Sequence, residues 1–134
     1  MAKERYVLCL GQQLHSRLHA EAELDSRHLR EQVLYLLEVM TTVAIQFPEL
    51  RLTPELKDTS SHNLGVRLEM SDWLDDQIFH MCGSYGLTKQ QLLRTLLWMG
   101  LEAREKFAPK GQNLRKEDFV VLVSDKLRQS TNVH

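Results

Sequence analysis

A short alternation of apolar and charged residues in the second half of this chain limits the folds that it can adopt. The order is Val66, Arg67, Leu68, Glu69 and Met70. Period 2 is typical of a strand with one buried face. A strand this short cannot stand alone, because even a two-stranded ribbon is marginal without helices packed beneath it. The strand therefore needs a partner strand and a helical layer.

Two helices are predicted to follow this strand. Ser71 suits the N-cap of the first helix, which carries apolar residues at helical spacing and ends at the glycine-containing turn of residues 83–86. Thr88 suits the N-cap of the second helix, which ends before Pro109. The order is strand, helix, glycine turn, helix.

The first half of the chain repeats this order. Tyr6, Leu8 and Leu10 recur at period 2, and a helix is predicted to follow them. Asp25 or Ser26 suits the N-cap of a second, longer helix that ends near Pro48.

The two halves superimpose as an internal repeat. The strand and first helix of the two halves match at an offset of 60 residues, so that Leu8 falls on Leu68. An insertion in the turn is predicted to change this offset to 63, so that Leu29 falls on Leu92. We therefore divide the chain into a first repeat (1–47), a linker (48–63), a second repeat (64–108) and a C-terminal segment (109–134). The C-terminal segment is predicted to hold a short helix and a loose end, with a strand over Phe119–Val123 as the alternative.

Composition limits the class of protein. With 134 residues, of which 43% are hydrophobic, the chain suits one ordinary domain or two small ones that share a core. It has no apolar run of about 18 residues that would span a membrane. The two cysteines, Cys9 and Cys82, offer no disulfide framework, so we expect a cytoplasmic protein. The net charge of −1 argues against coating nucleic acid by bulk charge, but it permits a local basic patch.

Residues Gly65–Leu74 and Tyr85–Leu93 resemble the strand–cap–helix and glycine-turn–capped-helix signatures of the ribbon-helix-helix (Arc/MetJ/CopG-like) DNA-binding superfamily. The similarity extends over residues 63–108 and, more loosely, over residues 3–47. It implies a mainly α fold with a short two-stranded antiparallel ribbon, built as a tandem pseudo-dimer from two units in one chain. This tandem organisation resembles that of an accessory protein of T-DNA transfer. Alternatively, only the second unit is a ribbon-helix-helix, and its strand pairs with that of another chain.

The resemblance implies that the outer face of the ribbon enters the major groove of double-stranded DNA. Period 2 turns Arg67 and Glu69 outward, and likewise Arg5 and Val7 on the partner strand. These four are the candidates for base contacts. An arginine can bind guanine O6 and N7, a valine can meet a thymine methyl group, and a glutamate can accept a hydrogen bond from cytosine N4.

Backbone phosphates are expected at the N-termini of the second helices, where free N–H groups and the helix dipole favour anions. The resemblance implies this role for Thr88 and Lys89 in one repeat, and for Ser26 and Arg27 in the other. The cellular role is then transcriptional regulation, or an accessory role in plasmid transfer or partition. The protein would act as a monomeric pseudo-dimer or as a homodimer.

Other kinds of site are not indicated. His15 and His19 share a helix face, but no further ligands complete a zinc pattern, so we expect no metal. No phosphate-binding loop or nucleophile elbow occurs, so we expect neither a cofactor nor an enzyme. The alternative function is a helical protein–protein interaction module. It is suggested by the near-neutral charge, the acidic stretch Glu21–Glu38 and the apolar C-terminal segment.

Overall fold

The computed structural model describes residues 5–48, 50, 52, 62–108 and 114–131. Within these ranges it is mainly helical with one two-stranded antiparallel sheet, which confirms the predicted fold class at that level. The elements are β1 (Tyr6–Leu10), α1 (Gln12–Leu24), α2 (Leu29–Gln46), β2 (Leu64–Leu68), α3 (Asp72–Tyr85), α4 (Lys89–Phe107) and α5 (Lys116–Thr131).

The two strands of one chain pair with each other. β1 lies antiparallel to β2, and Val7 stands opposite Arg67 at the middle of the ribbon. The alternative in which the strand pairs with another chain is therefore not the arrangement in this structure. The alternating pattern orients the ribbon as predicted, because its inner face is buried against the helices. The residues on that face are Leu8, Leu10, Val66 and Leu68.

The register of the ribbon is symmetric about the Val7–Arg67 pair. Tyr6 pairs with Leu68, and Leu8 pairs with Val66. In the internal repeat Tyr6 is equivalent to Val66, and Leu8 is equivalent to Leu68. Replacing each residue by its equivalent therefore converts one of these two pairs into the other. An approximate two-fold axis therefore passes between Val7 and Arg67 and relates the two strands.

The offset of 60 residues that relates the two strands also relates the starts of the second helices, so the predicted change to 63 is wrong. The N-caps of α2 and α4 are His28 and Thr88, which are related by the same offset as Leu8 and Leu68. In the preceding turns, Ser26 (φ 56°) and Gly86 (φ 66°) both adopt the left-handed conformation, and they too are equivalent in the repeat. Ser26 takes the place of the glycine, so the two turns have the same length.

The predicted N-cap of α2 is also wrong, because neither Asp25 nor Ser26 occupies that position. His28 is the N-cap of α2, and its side chain makes no capping hydrogen bond. The predicted caps of the second repeat are confirmed: Ser71 accepts from the Leu74 amide, and Thr88 forms a capping box with Gln91.

The helices α2 and α4 form the centre of the core and approach each other closely at Gly100. A Cβ atom at this position would lie 3.2 Å from Cδ2 of Leu36 and 3.3 Å from Cγ of Met40. Met40 is the residue that corresponds to Gly100 in the repeat. The glycine therefore permits the close crossing of the two helices.

The C-terminal segment belongs to the core. Its helix α5 is longer than the predicted short helix, and it replaces the alternative strand over Phe119–Val123. Phe119 is fully buried, and its ring lies edge-on to that of Tyr35 at a centroid distance of 6.0 Å. Residues 109–113, where the segment starts, lie outside the described residues.

A buried ion pair links the α1–α2 turn to α4. The Asp25 carboxylate accepts hydrogen bonds from both Nε and Nη2 of Arg104, and from Nε2 of Gln32 at 3.0 Å. All three side chains are buried. Removing one partner of such a pair leaves the other charge buried without a counter-charge. The three groups therefore stabilise the fold only together.

Glu21 lies beside this pair without a hydrogen-bond partner of its own. Both of its carboxylate oxygens are buried and unpaired among the described residues. Burial raises the pKa of Glu21 from 4.5 to about 7, although the nearby Arg104 acts in the opposite direction. The corresponding residue in the second repeat is the apolar Met81. Glu21 is therefore a polar group at a position suited to an apolar one.

We expect Ser26→Gly to stabilise the fold by about 1 kcal/mol, because an L-residue in the left-handed conformation carries a steric cost that glycine avoids. Urea unfolding measures this change. Gly86→Ala, at the corresponding turn, should have the opposite sign. Equal effects of the two substitutions would contradict the structure of the turns.

We expect Glu21→Met to stabilise the fold by about 1–3 kcal/mol at pH 8, because it removes an unpaired buried carboxylate. A raised pKa in the folded state means that stability is lost as the pH rises from about 4.5 to about 7. The gain from Glu21→Met should therefore shrink as the pH falls through this interval. Urea unfolding between pH 4.5 and 8 measures it, and a gain that does not vary with pH would contradict the burial of this carboxyl group.

We expect Phe119→Ala to destabilise the fold by about 3–5 kcal/mol, because it leaves a cavity against α2. Val121→Ala provides the matched control, since Val121 is 59% exposed on the same helix. It should change the free energy of unfolding by less than about 0.5 kcal/mol. A loss of stability in Phe119→Ala as small as that in Val121→Ala would mean that α5 is not a core element.

Candidate nucleic-acid interface

The outer face of the ribbon is open to solvent. Arg5, Arg67 and Glu69 are exposed, and Val7 is 44% exposed. The four candidates for base contacts therefore lie together on one surface, as the alternation predicts. Cys9 is half-buried on the same face.

The charged residues of this face differ in their surroundings. Nε of Arg5 lies 2.9 Å from Oε1 of Glu69, and both side chains are 57% exposed. This ion pair joins the residue before β1 to the residue after β2 and balances the carboxylate that would repel phosphate. Arg67 makes no hydrogen bond or ion pair with the residues that the structure describes, so its guanidinium projects into solvent next to the two-fold axis.

A basic cleft lies beside the ribbon at the N-terminus of α2. The basic cleft is formed by Arg5, His28, Arg30 and Arg67. These residues line an open cavity of roughly 680 Å³ together with other residues of β2 and α2. The side chain of His28 is 92% exposed. Glu31 and Glu69 border a neighbouring hollow that shares the same four residues. The first turn of α2 adds its free N–H groups and the positive end of its dipole.

His28 and Arg30 were not among the sequence-predicted site residues. The sequence placed the cap of α2 at Asp25 or Ser26, and this moved the expected anion site toward the turn. A constant offset throughout the repeat would have aligned His28 with Thr88 and Arg30 with Gln90.

Ser26 and Arg27, two of the predicted phosphate contacts, do not line the basic cleft. The guanidinium of Arg27 lies 3.8 Å from the ring centroid of Tyr35. It also donates to Oε1 of Gln32 at 3.0 Å and to the carbonyl of Leu114 at 3.3 Å. Arg27 therefore connects the α1–α2 turn with α2 and with Leu114, which lies just before α5.

Thr88 and Lys89, the other two predicted phosphate contacts, lie at the N-terminus of α4 near β1. Thr88 is occupied by its capping box. Nζ of Lys89 lies 2.8 Å from Oδ1 of Asp75 and 4.2 Å from the ring centroid of Tyr6. The sequence therefore predicted their position correctly, but it did not reveal the carboxylate that holds the lysine.

Gln90 and Arg94 close the edge of β1 at this end. The amide of Cys9 donates to Oε1 of Gln90 at 2.9 Å, and Nε2 of Gln90 donates to the carbonyl of Val7 at 2.9 Å. Nη1 of Arg94 donates to the carbonyl of Cys9 at 3.1 Å. These side chains satisfy backbone groups that an edge strand would otherwise leave unpaired.

The remaining candidate ligands do not form a site. In the described part of the chain, no three histidine, cysteine, aspartate or glutamate side chains group together as metal ligands. His19 lies 3.6 Å from Glu23, one turn further along α1. Cys9 and Cys82 are free thiols. Among the described helices, none has the length and apolar character required to cross a membrane.

No family model, no characterised protein and no solved structure matches this chain.

Proposed function

We propose that the chain is a tandem ribbon-helix-helix pseudo-dimer that binds double-stranded DNA with the outer face of its ribbon in the major groove. One observation carries this proposal: a ribbon with approximate two-fold symmetry exposes its outer face and has a basic cleft along one edge. Its cellular role is transcriptional regulation, or an accessory role in plasmid transfer or partition.

The dimensions of the ribbon suit the major groove. Two strands lie about 4.8 Å apart. The groove of B-DNA is about 12 Å wide and admits a two-stranded ribbon. The strands are five residues long, which is about 17 Å at the usual rise per residue. The side chains of one face can therefore reach several consecutive base pairs.

The exposed side chains divide into base and phosphate contacts. Arg67 is the first candidate for a bidentate bond to guanine, because its guanidinium has no partner among the described residues. Arg5 and Glu69 would contact bases as an ion pair, and Val7 would meet a thymine methyl group. At the N-terminus of α2, His28 and Arg30 would bind a phosphate in place of Ser26 and Arg27, because they line the basic cleft. Thr88 and Lys89 are the candidates at the opposite flank.

The net charge of −1 supports a local mode of binding. Repulsion from the acidic remainder of the surface opposes indiscriminate attachment to DNA, while the basic cleft attracts phosphate at short range. Affinity should therefore decrease with salt, with a slope in log K against log salt concentration of about −0.9 for each phosphate that is contacted.

A groove between α5, α2 and α3 favours the second candidate function, a helical protein–protein interaction module. Trp73 is 46% exposed and Val121 is 59% exposed, and both line this groove of roughly 400 Å³. Because the opposite face of α5 is buried in the core, the C-terminal helix would act as a fixed surface. Binding of a protein here by a chain that retains no DNA at low salt would favour this second function.

We expect Arg67→Ala to weaken binding to a selected duplex by roughly 5- to 150-fold, the range of one lost bidentate contact. It should affect random-sequence DNA much less. Fluorescence anisotropy with the two duplexes measures both affinities. Arg67→Lys keeps the charge but loses the planar guanidinium that donates two hydrogen bonds to one base. It should therefore resemble the alanine variant on the selected duplex.

Arg128→Ala is the matched control for this prediction. It removes the same side chain from α5, where Arg128 lies 5.6 Å from the ring of Phe47 at the far end of α2. Its DNA affinity should remain that of the unsubstituted chain. Equal losses for the Arg67 and Arg128 variants would show that only overall charge matters and would contradict base contact by Arg67.

A further inference from the structure

We propose that the DNA site of this chain is non-palindromic, because the side chains that can form hydrogen bonds to bases, Arg5, Arg67 and Glu69, have no counterparts of the same kind at the equivalent positions of the repeat. The chain would then bind its site in a single orientation. This inference rests on the proposed DNA binding and adds the class of DNA sequence that is recognised.

The approximate two-fold axis allows each outer residue to be compared with its equivalent. Arg67 corresponds to Val7, so the residue pair at the axis offers one guanidinium instead of two. An arginine at this place can form its bidentate bond with only one strand of the DNA. The centre of the site is therefore recognised asymmetrically.

The two ends of the ribbon differ further. At one end lies the Arg5–Glu69 ion pair. Its equivalents at the other end are Gly65 and Cys9, which pair with each other in the register. The first end offers hydrogen-bond donors and acceptors to base edges, whereas the second offers neither a charge nor a strong side-chain donor.

The flanks of the ribbon are also unequal. Arg30 lines the basic cleft, whereas its equivalent Gln90 is engaged with the edge of β1 through two hydrogen bonds. His28 is exposed, whereas its equivalent Thr88 is occupied by the capping box. On the other flank Lys89 corresponds to the apolar Leu29, so each flank has a cation that the other lacks and the phosphate contacts differ between the two sides.

These differences leave the residues that can form hydrogen bonds to bases without equivalents in the other repeat. Arg5 and Glu69 lie at the end of the ribbon next to the basic cleft, and Arg67 lies at the axis. In a homodimer the two-fold axis would repeat every contact and require a palindrome. In this chain most of the side-chain contacts have no equivalent, so one half-site should carry most of the sequence information.

Selection from a pool of random duplexes by the full chain tests this inference. We expect an enriched sequence that is not self-complementary, with guanine preferred on one side of the centre. Enrichment of a palindrome with equal half-sites would overturn the inference but keep DNA binding. If a folded protein retains no duplex even at low salt, the proposed function fails, and the inference fails with it.

Three duplexes then provide a direct comparison: the selected site, a palindrome built from its information-rich half, and a palindrome built from its other half. The first palindrome should bind within roughly two-fold of the selected site, the factor given by two equivalent orientations. The second should bind roughly ten-fold or more weakly, because it lacks the arginine contact. Equal affinities for the two palindromes would overturn the inference. In Arg67→Ala the difference between the palindromes should decrease, whereas in Arg128→Ala it should persist.

Discussion

The pairing of β1 with β2 joins the two halves of the chain. Each strand has only five residues, and the chain between them holds both helices of the first repeat. Neither strand could satisfy its backbone hydrogen bonds alone. Their inner faces supply Leu8, Leu10, Val66 and Leu68 to the core. The pairing therefore holds the two repeats around a common centre and presents the outer face to solvent.

Joining both repeats in one chain permits each half to differ from the other. The buried Asp25–Arg104 pair has the equivalents Tyr85 and Ala44, so this polar link exists only once. It lies at the α1–α2 turn, next to Arg27, which also contacts the start of the C-terminal segment. A homodimer would have to bury such a pair twice, at twice the cost in desolvation. The same freedom permits the outer face of the ribbon to carry arginine on one side and valine on the other.

The sequence predicted the strands and the order of the helices, because period 2, helical spacing and the caps Ser71 and Thr88 are local signals. It did not predict the α1–α2 turn. A serine with positive φ has no local signature, since glycine is the residue that such a position normally selects. Asp25 looked like a cap because its partner Arg104 is distant in the sequence, on α4 of the other repeat. The error in the cap then hid His28 and Arg30, whereas Arg5, Val7, Arg67 and Glu69 followed from the strand pattern alone.

Backbone amide chemical-shift mapping of the full chain with a short random-sequence duplex locates the DNA-binding surface without any substitution. If the ribbon is that surface, we expect the largest changes at Val7, Arg67 and the first turn of α2, and no changes at the amides around Trp73 and Val121. Changes confined to the groove between α3 and α5, or no changes at low salt, would contradict the assignment of the ribbon as the DNA-binding surface.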